Sequence, residues 1–238
     1  MSSALANRLR EKYYDSDAHP YRLFERQVES LIGPQTAVLL DAGCGRTAPV
    51  LRKFHGKVAR LIGIEMVPFT DVPPYVEIHN ADLAKIPLPN QSVDIIMSRS
   101  VFEHLTDPES VYAEMARILK PGGKIVFLTA SLWDYGTQVA RLVPNRYHAG
   151  VVRRVEGRKE EDTFPTAYKT NTRKDVDSLA AQVGLKVSDF QYLSQYPNYL
   201  MFNGVLFALG MVYEKIVSRV EFLRALRGWI LVTLHKPA

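Results

Sequence analysis

The apolar run Val38-Leu39-Leu40 leads into Asp41-Ala42-Gly43-Cys44-Gly45, and Ala48 stands three residues after Gly45. Gly-x-Gly-x-x-Ala after a strand marks a loop that approaches a nucleotide closely, because glycine permits a tight turn and carries no side chain to hold a ligand off. Glu65 lies 22 residues beyond Gly43, where a carboxylate can accept hydrogen bonds from an adenosine ribose. NAD and S-adenosylmethionine (SAM) both suit these features. Asp41 separates them. A carboxylate two residues before the first glycine would repel pyrophosphate at this turn, whereas it would attract the ammonium and sulfonium of SAM. The structural alternative for Asp41 is a helix N-cap.

Such residues need a framework that brings them to one edge. Val38-Leu39-Leu40 reads as a buried strand meeting a helix N-terminus at the glycine turn. Similar runs recur at Leu61 to Ile64, ending at Glu65, at Val76 to Ile78, leading to Asp82, at Val93 to Met97, ending at Ser98, and at Lys124 to Thr129 after Pro121-Gly122-Gly123. Between the last two, Thr106 and Glu109 have capping-box spacing, Pro108 lies in the first turn, and Val111, Met115, Ile118 and Leu119 recur at helical spacing. Strands alternating with helices imply an α/β fold with a parallel, doubly wound sheet. A helix is expected from about Thr172 to Gln182, a strand over Leu185 to Leu193, and a closing strand over Gly228 to Leu234.

The 238 residues are 47% hydrophobic with a formal charge of +5, which excludes disorder and fits one α/β domain. The single cysteine, Cys44, excludes an intramolecular disulfide framework and a multi-cysteine zinc site, so no metal is expected. Arg8, Arg10, Glu11 and Lys12 interrupt the N-terminus before an apolar run forms, so a cytoplasmic location is expected. Residues 1–120 carry a net charge of −1 and residues 121–238 a net +6. A basic second half suits phosphate groups or an anionic membrane, or is a solvated surface. Leu200 to Tyr213 is 14 residues without a charge, short of the roughly 18 that a membrane span needs. Beyond it Tyr213, Ile216, Val217, Val220 and Leu223 fall on one helical face, with Lys215, Arg219, Arg224 and Arg227 on a basic one. Core packing and a lipophilic wall or membrane-surface helix are both consistent with that pattern.

The segments VLLDAGCGRT, LIGIE, NADL, VDIIMSRSVFEHL and ARILKPGGKIVFL, in this order and spacing, resemble the class I SAM-dependent methyltransferases, and within them the subgroup related to ubiquinone and menaquinone biosynthesis. The resemblance covers about residues 36–130. It implies a Rossmann-like fold: a mostly parallel seven-stranded sheet with helices on both faces, an antiparallel last strand and an insertion after the fifth strand. It also implies one methyltransferase domain over 1–238, with a helical flap over 1–35, a SAM-binding core over 36–130 and a substrate-side insertion over 131–172. The C-terminal part, 173–238, would contain an apolar helical insertion at about 197–226. Tyr13, Tyr14, Tyr21 and Phe24 fall in the flap.

By the same resemblance, Asp41, Gly43, Cys44 and Gly45 line the methionine moiety of SAM and Glu65 binds the ribose. Asp82 meets the adenine amino group, Leu83 gives backbone contact, and Met66 packs on the ring. Ser98 and Arg99 contact the methionine end. The third glycine common in this family is replaced by Thr47, whose β-branch disfavours a positive φ. The product of the cofactor would be S-adenosylhomocysteine (SAH).

Methyl transfer is an in-line displacement that needs alignment and exclusion of water, and not always a base. His104 in Phe102-Glu103-His104-Leu105 is one candidate to hold or deprotonate the acceptor; His148 and Tyr168 are the others. Ser98-Arg99-Ser100 stands where methyltransferases of nucleic-acid amines often carry an Asn/Asp-Pro-Pro-Tyr/Phe motif, so nucleic acid is not the expected partner. Arg141, Arg146, Arg153, Arg154, Arg158 and Lys159 could grip phosphate or carboxylate. Beside the apolar stretch they suggest a small-molecule, saccharide or lipid-linked acceptor methylated at oxygen or carbon. A non-catalytic SAM/SAH-binding scaffold and an NAD-dependent oxidoreductase are the rival readings.

Overall fold

The computed structural model describes residues 2–142 and 164–238. The chain divides into two compact units. One comprises Leu23–Thr129, Ala167–Gln191 and Leu231–Ala238; the other comprises Met1–Arg22, Ala130–Thr166 and Tyr192–Ile230.

A seven-stranded sheet is built from β1 (Val38–Ala42), β2 (Arg60–Glu65), β3 (Val76–Asn80), β4 (Val93–Arg99), β5 (Leu119–Ala130), β6 (Lys186–Leu193) and β7 (Trp229–His235), in the order β3-β2-β1-β4-β5-β7-β6. The pairs β1–β2, β1–β4, β2–β3 and β4–β5 are parallel. β7 runs antiparallel to β5: Gly122 and Gly123 exchange backbone bonds with Lys236 at one end, and Ser131 bonds to Gly228 at the other. Every residue of β1 is buried, as a central parallel strand covered on both faces requires. Edge strands β3 and β6 instead mix covered and exposed positions. Asp94 fixes the entry to the sheet by accepting from the N–H groups of Ala37 and Val38 and from Lys120 Nζ.

Three local expectations change. The glycine turn leads into a short 3-10 turn, Leu51–Phe54, not an α-helix. Pro49 and the left-handed Gly56 (φ +77) leave too few residues between them for several helical turns. The helix α3 (Pro108–Ile118) is capped by Asp107, whose Oδ1 accepts from Ser110 N at 3.2 Å, not by Thr106. β5 begins at Leu119, before Pro121-Gly122-Gly123, and absorbs those residues as an irregularity in its pairing with β4.

The helices α1 (Ala4–Tyr13) and α2 (Pro20–Leu31) precede the sheet, and α4 (Tyr135–Leu142), α5 (Arg173–Gln182) and α6 (Gly204–Arg219) follow β5. Thr172 caps α5 by accepting from Asp175 N. In the second unit α1 and α6 meet where a side chain at Gly204 would lie 2.7 Å from Leu5. Tyr14 packs edge-on against Tyr196 and Phe207, and Tyr21 against Trp229. The single apolar face expected over Tyr213 to Leu223 is split. Val217 is buried and Ile216 exposed, and the helix ends at Arg219, before Val220 and Leu223. No helix among the described residues is long and apolar enough to cross a membrane.

Among the described residues, two acids are buried in this unit. Asp134 caps α4 through Oδ2, which accepts from Gly136 N at 2.9 Å and Thr137 N at 3.2 Å. Burial pushes its carboxyl up to about 6 against those donors. Glu214 is 4% exposed, and its Oε2 makes no hydrogen bond. Burial, helped by the charge of Asp134, pushes this carboxyl up to about 8. The folded state therefore keeps protons that the unfolded chain releases above roughly pH 4.3. The stability these groups contribute is complete below that pH and is lost as pH rises through 6 to 8. The melting temperature is expected to fall between about pH 5 and pH 8.5. Glu214→Gln should flatten the upper part of that fall, and an unaltered profile would show that Glu214 titrates as an ordinary surface acid.

Candidate active site

The strand order reverses between β1 and β4, and open parallel sheets bind ligands beyond the carboxyl ends of strands at such a point. Asp41 and the glycine turn lie at the end of β1, and Ser98 and Arg99 at the end of β4. Gly43 and Gly45 take φ of +80° and +73°, and the third left-handed residue is Ala48 at +46°. Thr47 is passed over, as its β-branch requires. A Cβ at Gly43 would collide with the Val101 side chain, whereas at Gly45 it would meet open space. The turn hangs from β2, with Gly43 N and Cys44 N both donating to Ile64 O at 2.9 and 3.1 Å.

Asp41 is 2% exposed, and its Oδ2 is buried without a hydrogen-bond partner. Burial pushes the carboxyl up to about 7; Arg99 pulls it down, and Glu65 adds to the rise. A carboxylate so placed lacks one bond and is poised to meet a cation. Asp41 sits inside β1 and no α-helix follows it, so it is not an N-cap.

Glu65 accepts from Gly45 N at 2.8 Å through Oε2, and from Met66 N at 2.8 Å through Oε1. It thus ties the glycine turn to the end of β2, and its remaining lone pairs can accept further donors. Asp82 is exposed, with Oδ1 accepting from Ala84 N at 2.9 Å. Leu83 beside it is buried, and Met66 is exposed. Cys44 packs its thiol under the turn against Gly63, where burial holds it far above its ordinary range, so the loop surface it offers is backbone. Ser98 is fully buried, and its hydroxyl donates to Ala42 O at 2.7 Å, joining β4 to β1. Arg99 pairs with Glu25 at 3.4 Å.

His104 closes the short 3-10 turn Phe102–His104. The carbonyl of Glu103, the residue before it, accepts from Ala167 N at 2.8 Å and Tyr168 N at 3.0 Å. Two of the three acceptor-side candidates are thereby brought to one place on the backbone, with Tyr168 left-handed at φ +51°. His148 lies outside the described residues, as do Arg146, Arg153, Arg154, Arg158 and Lys159, and nothing is described of the Arg141 side chain.

The residues that build this site include several that the motifs do not single out. Thr129 Oγ1 donates to Glu103 Oε2 at 2.5 Å and accepts from Asn171 Nδ2 at 3.0 Å, while Thr170 Oγ1 donates to Phe102 O at 2.9 Å. This buried network locks the His104 turn to the segment before α5. Asn80 Nδ2 reaches the carbonyls of Glu65, Met66 and Val67 at 2.9, 2.9 and 3.1 Å and so shapes the loop after β2. Asn80 and Glu103 fall inside two of the quoted segments, whereas Thr129, Thr170 and Asn171 lie outside all of them.

Residues 40–127 match the family described as a methyltransferase domain. That segment is similar to methyltransferase domains. It is 36% identical over 104 residues to a probable S-adenosylmethionine-dependent methyltransferase of Mycolicibacterium smegmatis, covering 39% of this chain and 37% of that protein. It is 32% identical over 96 residues to the malonyl-[acyl-carrier protein] O-methyltransferase of Serratia marcescens, covering 38% and 37%. The chain thus spans little more than a third of the length of these curated relatives. A wider likeness of fold, at 14% identity and a TM-score of 0.54, relates 94% of the chain to 84% of the geranyl diphosphate C-methyltransferase of Streptomyces coelicolor, solved with Mg2+, geranyl diphosphate and SAH. The matched range contains Asp41, the glycine turn, Glu65, Asp82, Ser98, Arg99 and His104, and Tyr168 bonds to Glu103 from outside it.

Gly43→Ala and Gly45→Ala separate strain from collision. Both place a side chain at positive φ, which costs about 1–2 kcal/mol, and only Gly43→Ala also strikes Val101. Denaturant unfolding should show Gly45→Ala losing about 1 kcal/mol and Gly43→Ala clearly more; equal losses would mean that the turn is not packed on Val101.

Proposed function

We propose that the chain is a SAM-dependent methyltransferase acting on oxygen or carbon of a small, saccharide- or lipid-type acceptor. The observation that carries this reading is Asp41, a buried carboxylate with an unpartnered oxygen beside a glycine turn, within a matched methyltransferase domain. A cation belongs there, and pyrophosphate does not, which disfavours NAD.

The residues fit SAM. Asp41 would take its ammonium, and Gly43, Cys44 and Gly45 would offer backbone to the methionine moiety. Glu65 would accept from the ribose hydroxyls while keeping the turn in place. Asp82, Leu83 and Met66 would meet the adenine, and Arg99 would stand near the methionine end. For Ser98 the hydroxyl bond to Ala42 leaves a positioning role between the two strands. When bound, SAM supplies a methyl group on a positively charged sulfur, activated for in-line displacement.

The chain's own part is to align the acceptor, exclude water and, where the acceptor is a hydroxyl, receive its proton. His104 and Tyr168 are assigned to that side, because their shared anchorage on Glu103 keeps their backbones in fixed register. His148 and the arginines of the 131–172 insertion keep their sequence-based assignment to the acceptor. Oxygen and carbon are favoured by relatives named as O- and C-methyltransferases and by Ser98-Arg99-Ser100 after β4. The finer placement beside the ubiquinone and menaquinone methyltransferases, with helices on both faces of the sheet and an insertion after β5, rests on the five sequence segments.

Calorimetric titration of the purified chain with SAM tests the reading. Wild-type protein should bind, Asp41→Ala and Glu65→Ala should both weaken binding, and affinity should fall about tenfold per pH unit below pH 7 as Asp41 takes up its proton. The sign follows from the raised carboxyl: the cation needs the carboxylate, so binding at pH 6 must drive a proton off. Heats that depend on buffer ionisation would register that release. Absence of binding to folded wild-type protein would reject the proposal.

A further inference from the structure

Among the described residues, exposed large apolar side chains in the sheet-bearing unit are confined to Met66, Tyr75 and Ile78; all the others belong to the second unit. The densest group lies on α6. Its inner face is covered by Phe207, Gly210, Glu214 and Val217, yet Val205, Leu209, Val212 and Ile216 are 67%, 63%, 58% and 51% exposed. These four follow the spacing i, i+4, i+7, i+11 and form one continuous stripe on the outward face. A helix apolar on both its covered and its open face lacks a partner for the second. Phe202 stands just before the helix, and Phe222, 94% exposed, just after it.

Charge names the partner. Lys215 and Arg219 are exposed one turn apart on the flank of this stripe and form no ion pair among the described residues. Arg224 follows, and the exposed acid nearby, Glu221, is already paired with Arg224 and Arg227 at 3.1 and 3.0 Å. The one acid of the helix itself, Glu214, is buried on its inner face. Two copies docked through this stripe would bring unpaired cations toward each other, whereas an anionic lipid surface neutralises them. At 16 residues the helix is about 24 Å long, too short to cross a hydrocarbon core of about 30 Å but suited to lie in its interface.

We propose that the outward face of α6, with Phe202 and Phe222 at its ends, docks on an anionic membrane surface, its apolar stripe in the acyl boundary and Lys215 and Arg219 at the headgroups. The inference stands apart from methyl transfer, since it needs neither cofactor nor acceptor, and its failure would leave that reading untouched.

The full chain should sediment with phosphatidylcholine–phosphatidylglycerol vesicles at low salt and much less with phosphatidylcholine alone. The double substitution Leu209→Ser with Val212→Ser, and separately Lys215→Gln with Arg219→Gln, should each weaken that binding about tenfold or more while the melting temperature holds, since all four residues are exposed. The charge pair keeps the test alive if the apolar pair fails to fold. No sedimentation of the wild type, or binding untouched by either folded variant, overturns the proposal. A concentration-dependent dimer in light scattering that Leu209→Ser with Val212→Ser dissolves, without vesicle binding, overturns it in favour of a second copy.

Discussion

A carboxylate taken out of water without a full set of partners is a standing free-energy debt, and Asp41 is in that position at the end of the central strand. The protein meets the strain in part by proton uptake, with the carboxyl raised to about 7, and in part through Arg99 across the strand-order reversal. What neither supplies is a hydrogen-bond donor for Oδ2. Much of the surrounding architecture holds that oxygen in place. β1 is buried along its length, the glycine turn hangs from Ile64, and Glu65 ties that turn to the next strand.

The same constraint explains the roles of several neighbours. Ser98 uses its hydroxyl to lock β4 to β1 at Ala42, so the two strand ends beside Asp41 keep a fixed spacing. Asn80 gathers three carbonyls after β2 and leaves Glu65 facing the turn. At the His104 turn, the Glu103–Thr129–Asn171 network fixes the backbone from inside the fold. Rigid strands and buried polar bonds thus hold the candidate side chains, at strand ends for Asp41 and Glu65 and in a short turn for His104.

Legibility in the sequence followed the physics of each element. Buried parallel strands announce themselves as apolar runs, and all five of the early ones stand where those runs fall. Gly43, Gly45, Asp41 and Glu65 were readable because a close backbone approach and a lone carboxylate leave type-specific traces. Caps were less so: Thr106 and Asp107 are both competent, Pro108 follows either closely, and only geometry decides for Asp107. The short turn after Gly45 read as a helix because periodicity cannot show that Pro49 and Gly56 leave no room. Glu214 gave no signal, since a glutamate among basic and apolar residues looks like surface until the helix is seen to turn it inward. The split apolar face of α6 escaped for the same reason, because residue spacing defines a face and not what covers it.

The central claim is that Asp41 is kept unsatisfied for a cation. Its most direct test is the titration of the Asp41 side-chain carboxyl, followed by carbon-13 nuclear magnetic resonance with Asp41→Asn to assign the signal, in the free protein and with saturating SAM. The account predicts a midpoint near 7 in the free protein and a fall of about two units or more in the complex. A carboxyl that titrates near 4 when free, or whose midpoint ignores SAM, would contradict it.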